Sequence, residues 1–444
     1  MSAAPDVAVV GAGIAGLTVA HELRRAGLSV RVFEASGEVG GRMKSVRQGG
    51  YTIDTGAEQI SAEGYRATWE LLRRAGIPAA DVPSIRRAVG VWRDGRTHLT
   101  LSPESSALSL RARWELSRFL LQAKRRRRSY DTDRPEATPL GSATVAEVAR
   151  GLHRDLHDYL FQPLSANFFG WQADRSAMAP LACLMLAVGP ATAWRTYADG
   201  MDTLARSLAA RLDVETGHPV EQVTTDGTHA QVTTAAGTFH ARAAVLCVPA
   251  PIAAKLHADP DPAAASFLGA CSFTPMLKLS CLLDRPLGLK ASRPTYALLT
   301  PAAEESVLSG VIVDHEKHAS RVPSGRGLVS LCAAPSVAAE LIDAPEDDIV
   351  PRLLGAGERF LPGLGEATGD TLVHRFRYGL PEATPAALAL RAAFEARPIG
   401  PVDYAGDWVS LRPSSEGAIR AGALAASRVL RHLGHSRAGV KEAA

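Results

Sequence analysis

The stretch DVAVVGAGIAGLTVAHELRRAGLSVRVFE, Asp6 to Glu34, decides the architecture of the chain. DVAVV is a short apolar run rich in β-branched residues, and it reads as a buried strand. It runs through GAGIAG into a helix, LTVAHELRRAG, which Gly27 ends as a C-cap. SVRVFE, Ser29 to Glu34, is a second strand. Strand, helix and strand joined by turns this tight imply a parallel sheet. Gly11, Gly13 and Gly16 form GxGxxG at the first junction. The first glycine permits the tight turn, the second lets a pyrophosphate approach the backbone, and the third lets helix pack on strand. Ile14 and Ala15 open the helix, where exposed N–H groups hold phosphate oxygens. Glu34 ends the second strand 18 residues after Gly16, with Ala35 beside it. A carboxylate there accepts hydrogen bonds from the adenosine ribose hydroxyls and disfavours a 2′-phosphate. The segment reads as a dinucleotide site in an α/β fold.

At 444 residues the chain suggests two or three domains. A hydrophobic content of 46% and a charged content of 21% are those of an ordinary globular protein with a large core. The net charge of +3 is too small to argue for nucleic acid. The five cysteines form no CxxC pair and lack metal-ligand spacing, so no metal is expected and a reducing compartment fits. No signal peptide precedes Asp6, and no apolar run reaches membrane-spanning length, so the expected location is cytoplasmic.

Further along, ALSLRARWELSRFLLQAKRRRR reads as a helix ending in the basic run Lys124 to Arg128. Such a run can touch an acidic membrane surface, but a solvated helix end complementing the C-terminal dipole is the preferred reading. Helical signals dominate from Thr144 to about Leu212. HPVEQVTTDG, HAQVTTAAG and TFHARAAVLCVP then read as a meander of strands. SVLSGVIVD and GLVSLCAAP are two more strands. The chain closes with AGDWVSLRPSSEGAIRAGALAASRVLRHL: a short strand, a turn and a helix of about four turns.

PMLKLSCLLD, Pro275 to Asp284, sets a lysine inside an apolar strand. Alternation puts Met276, Lys278, Ser280 and Leu282 on one face and Leu277, Leu279, Cys281 and Leu283 on the other. One explanation is an edge strand whose lysine reaches water. The other is a functional amine.

EASGEVGGRMKS, Glu34 to Ser45, resembles the second fingerprint of the flavin amine oxidase and protoporphyrinogen oxidase superfamily, with Gly40, Gly41 and Arg42 matching its GGR. YTIDTGAEQIS resembles that family's segment reaching the flavin, which puts Gly56, Ala57, Glu58 and Gln59 at or near the ring. HPVEQV matches the place where a valine backbone meets the adenine, here Val220. AGDWVS supplies Gly406 and Asp407 for the ribityl and phosphate region. SSEGAIRAG, with Ser415, Glu416, Gly417 and Ala418, matches the turn and helix beneath the flavin. The resemblance implies noncovalent FAD in a doubly wound domain built from separated segments, 1–75, 196–252 and 391–435. It also implies a substrate and helical region at 76–195, an inserted α+β substrate domain at 253–390, and a flexible tail at 436–444.

In flavin amine oxidases a strand lysine holds a water against flavin N5, and Lys278 falls on the matching position. Burial is expected to lower its pKa. Two aromatic side chains frame the substrate in those enzymes, but this chain has Ser414 at one place, and only Tyr378 lies near the other. Gln59, Met276, Tyr378 and Ser414 are therefore the candidate pocket residues. HRFRYGLPEATP is closer to the porphyrinogen oxidase and carotenoid-type desaturase branches. VDHEKH, Val313 to His318, suggests acid–base or metal work, but it precedes a Pro-Gly loop between strands and lacks matching ligands elsewhere, so the bland reading is preferred; His374 and Arg377 read as either pocket or polar strand residues. The implied activity is hydride transfer to flavin N5 from a C–N or C–C bond of a small organic molecule, with oxygen or another acceptor completing turnover. A C–C desaturase or porphyrinogen-type oxidase, or a flavin-dependent isomerase, is the alternative.

Overall fold

The structure, a computed structural model, describes residues 4–99 and 107–435, so the expected tail at 436–444 lies outside the described residues. The described residues divide into two compact units, one of residues 4–41, 204–271 and 390–435, the other of 42–99, 107–203 and 272–389.

The first unit is built on a five-stranded parallel sheet. Its strand order is Val402–Tyr404, Ala243–Leu246, Val7–Val10, Val30–Phe33, Asp213–Glu215. Val7–Val10 lies at the centre and is buried throughout, as a parallel strand covered on both faces must be. The expected meander is split. TFHARAAVLCVP breaks at Arg242, whose N–H donates to Asp6 O at 2.9 Å. Gly237–Ala241 closes a three-stranded antiparallel sheet, while Ala243–Leu246 joins the parallel one. Helix Ile14–Arg25 packs on the closing helix Ser415–His432, which at 18 residues is a turn longer than expected. Gly422 makes the approach possible, since a Cβ there would lie 2.7 Å from Ala15 O.

The second unit is built on a seven-stranded sheet. Its order is Thr368–Glu382, Ser272–Leu283, Gly327–Ala333, Leu308–Val313, Thr295–Leu299, Ala88–Arg93, Arg96–Leu99. The pairs are antiparallel except Thr295–Leu299 with Ala88–Arg93. The lysine strand is therefore internal. Lys278 sits opposite His374 on one neighbour and Cys332 on the other, which excludes the edge-strand explanation. Alternation holds: Leu277, Leu279, Cys281 and Leu283 enter a core with Leu331, Val337 and Leu353. Two small two-stranded sheets and several helices complete this unit, among the helices Leu110–Arg125 and Val145–Arg150, the latter started by a Thr144–Glu147 capping box.

Candidate functional site

In the first unit the two glycine fingerprints come together. Gly11 has φ +102°, and a Cβ there would lie 2.8 Å from Cys247 O. A Cβ on Gly16 would lie 1.9 Å from Gly11 O, so helix and turn touch backbone to backbone. By contrast, a Cβ on Gly13 would meet nothing within 4 Å. Gly13 N-caps the helix without a side-chain cap, and no acidic residue stands in the first turn. That leaves N–H groups and dipole for an anion. Gly40 N–H donates to Ala12 O at 2.9 Å, and Gly41 lies against Gly13. The Glu34 carboxylate accepts from Ala12 N–H at 2.7 Å and from Ser36 N–H at 2.9 Å, fixing an acid at the end of its strand. Val220 begins an antiparallel strand of the same unit, and Asp407 is buried. This cradle fits a dinucleotide: an open glycine, unspent helix N–H groups and a positioned acid.

Ser414 caps the closing helix. Its hydroxyl accepts from Gly417 N–H at 3.1 Å, and its carbonyl accepts from Ala418 N–H at 3.0 Å. Glu416 behind it is fully buried. The serine thus has a local task that an aromatic side chain cannot perform. Ser414→Ala is expected to lower stability by about 1 kcal/mol, as read by denaturant unfolding.

The second unit holds a buried ion cluster. Three carboxylates, Asp54, Glu58 and Asp314, face three cations, Lys278, Lys317 and Arg321. Formal charge within it cancels. Five of the six are 3% exposed or less, and Glu58, with 11% of its side chain exposed, is the most open. Lys278 Nζ donates to Asp54 O at 2.5 Å and to Glu58 Oε1. Lys317 Nζ lies 2.5 Å from Glu58 Oε2, 2.8 Å from Asp314 Oδ1 and 3.3 Å from Asp54 Oδ2. Arg321 lies 3.0 Å from Asp54 Oδ1, which also accepts from Ser45 Oγ and Met201 N–H. Ser330 Oγ donates to Asp314 Oδ2 at 2.7 Å. Burying charge is costly unless each ion is paired and bonded, and here each is.

This geometry corrects the expected lowering of the Lys278 pKa. Burial does pull it down, but Glu58 and Asp314 outweigh burial and the pKa is raised. Lys278 is an ammonium, acting by charge and by donation. Its two acceptors use two of its three N–H groups. Burial pushes the Glu58 carboxyl up despite the two lysines. Asp54 goes the other way: burial would raise it, yet Arg321 and Lys317 hold it at about 2. His374, opposite Lys278, is driven to about 3 by burial and then by the Lys278 charge, so it is neutral and shares a hydrogen bond with Ser280 Oγ. A carboxyl depressed from 3.8 to about 2 contributes stability that is complete above about pH 4. Roughly 2 kcal/mol is then expected to drain away as pH falls from about 4 towards 2. Unfolding midpoints measured across that window check it, and Asp54→Asn is expected to flatten this acid limb.

The remaining sequence candidates in this unit divide. Gly56 packs on Arg42 O, where a Cβ would lie 2.4 Å away, and Met276 Cε is beside it. Ala57 N–H donates to Arg42 O, and Arg42 Nη1 donates to Gly379 O at 2.9 Å. Gln59 is partly exposed. Tyr378 packs edge-on against Phe273, and Arg377 pairs with Asp343 at the surface. The sequence reading missed Asp314 and Lys317. VDHEKH is a strand end followed by a short helix, Asp314–Lys317, and the partners it lacked in the sequence are supplied by Asp54, Glu58 and Lys278. The available signal was an acid and a lysine at i,i+3 directly after the largely apolar strand LSGVIV. Tyr296 was also missed; its buried hydroxyl, raised by burial and by Glu58, has no partner among the described residues.

Comparison with known proteins agrees with this geometry. Residues 14–430 match the family model described as flavin containing amine oxidoreductase. Protoporphyrinogen oxidase 2 of Arabidopsis thaliana is 53% identical over 55 residues, 12% of this chain. The match spans only 11% of that relative's own length. A putrescine oxidase solved with putrescine bound superposes with a TM-score of 0.78 at 19% identity, covering 96% of this chain and 99% of that one. A fatty acid isomerase from P. acnes superposes at 0.71 and 16% identity, covering 97% and 99%. At such identities the two structures share the fold.

Proposed function

This chain belongs to the flavin containing amine oxidoreductase family, and on that premise we propose that it takes a hydride from a C–H of a small organic molecule, while the adjacent N–H or C–H loses a proton and the C–N or C–C bond between them becomes double. It is a flavin-dependent oxidoreductase, and its cofactor is FAD. The observation that carries the reading is the cradle of the first unit, with Gly13 open, Gly11 and Gly16 closed on backbone, and Glu34 held by Ala12 N–H. Gly11, Gly13, Gly16, Gly40 and Gly41 would hold the pyrophosphate side, Glu34 the ribose. When bound, FAD supplies the acceptor for two electrons and a proton. The chain's part is binding, orientation and charge. Lys278, fixed as a cation by Glu58, has one N–H left over that would serve a water or ligand. Glu58, the most exposed of the six ions, is the group able to exchange a proton with a substrate.

Ser414 favours a second reading within the same class, C–C dehydrogenation of a porphyrinogen or polyene, because a capping serine stands where an amine oxidase carries an aromatic wall. Anaerobic mixing with amines, a porphyrinogen and a polyene tests both. The expected result is loss of flavin colour with a product two hydrogens poorer. An unbleached flavin with a rearranged product overturns oxidation in favour of isomerisation.

A further inference from the structure

We propose that helix Leu110–Arg125 and the basic turn after it form a docking surface for an anionic lipid bilayer. Five large apolar side chains are markedly exposed among the described residues, and three of them lie on this one helix: Leu110 at 81%, Trp114 at 62% and Leu121 at 50%. Their spacing places them within about 40° of one another around the axis at ~100° per residue. The opposite side, Ala112, Leu116 and Ala123, is buried against the unit. The apolar line is therefore the outermost edge of the helix, the part a flat surface meets first. Arg111, Arg118 and Arg125 border it on one side and Lys124 on the other, and the Arg118 guanidinium lies 5.5 Å from the Trp114 ring.

Charge identifies the partner. Between Leu110 and Arg128 eight basic residues stand against one acid, Glu115. That acid is spent, pairing with Arg111 at 3.0 Å and accepting from His153 N–H. Lys124 to Arg128 are all exposed. A second copy of this chain would bring like charge against like charge. A bilayer with anionic headgroups offers both what the cations and what the apolar line require: phosphate at the surface and hydrocarbon beneath it. No helix among the described residues is long and apolar enough to cross a membrane, so this contact lies in the membrane plane. The preferred sequence reading of Lys124 to Arg128 as a merely solvated helix end took no account of the apolar line, because Leu110, Trp114 and Leu121 look like core until the buried side is known.

The test is co-sedimentation of the full-length, flavin-loaded protein with vesicles of phosphatidylcholine alone or with about a third phosphatidylglycerol. Partitioning is expected to be at least about tenfold stronger on the anionic vesicles and to weaken with salt. Trp114→Ser with Leu121→Ser, and separately Arg125, Arg126 and Arg127 to serine, are each expected to reduce it about tenfold, with flavin content and melting temperature unchanged. Three results would each overturn the proposal: no partitioning, equal partitioning on both vesicles, or unaltered binding by the Trp114/Leu121 variant. A dimer in solution that Trp114→Ser dissociates would also overturn it, assigning the surface to a second copy.

Discussion

Gly16→Ala is expected to yield a protein with less than about a tenth of the wild-type flavin and a clearly lower melting temperature. The cause is steric. The new methyl would sit 1.9 Å from Gly11 O, less than any carbon–oxygen contact permits, and the obstacle is backbone that cannot rotate away. Either the helix start or the glycine turn must move. A shift in either displaces the N–H groups at Ile14 and Ala15 that an anion needs. Overpacking of this kind costs about 1–3 kcal/mol in stability alone. Visible absorbance per chain and thermal unfolding check it together. A fully flavin-loaded Gly16→Ala protein would show that the cradle is not where the dinucleotide binds.

The second large effect concerns the ion cluster. Lys278→Met leaves three carboxylates facing two cations, with Glu58 retaining only Lys317, and is expected to cost about 3–5 kcal/mol. Glu58→Gln errs in the opposite sense and is expected to cost a comparable amount. The double variant restores neutrality, so its loss is expected to be much smaller than the sum of the two. Kinetics separates structure from chemistry. If Lys278 and Glu58 both serve only the cluster, the double variant recovers flavin reduction and reoxidation rates along with stability. The proposed role requires the reverse: stability returns, and one or both rates stay slow.

Much of the first unit was legible because its signals are contiguous. A glycine turn of six residues is written in one place, and its strand and helix are written on either side. The faces of the lysine strand were legible for a similar reason, since period-two alternation is a local property. Lys278 itself was placed correctly on a face apart from the core. Its partners were not visible. Asp54 and Glu58 come from one stretch and Asp314, Lys317 and Arg321 from another; resemblance set Glu58 near the flavin, but nothing local in either stretch pairs its charges with Lys278 until the fold closes around them. That is also why the Lys278 pKa was expected to fall: burial can be inferred from an apolar neighbourhood, whereas a countercharge supplied from a remote stretch cannot. Ser414 shows the converse. It read as the loss of an aromatic wall, and its helix cap became apparent only with the position of Gly417 N–H.

The central claim is a flavin held by this cradle without a covalent bond. The most direct measurement is the flavin stoichiometry of the purified protein before and after denaturation. One FAD per chain, released intact into the supernatant when the protein is denatured and precipitated, is the predicted result. A chain that never carries flavin, or a flavin that stays with the precipitated protein, would contradict it.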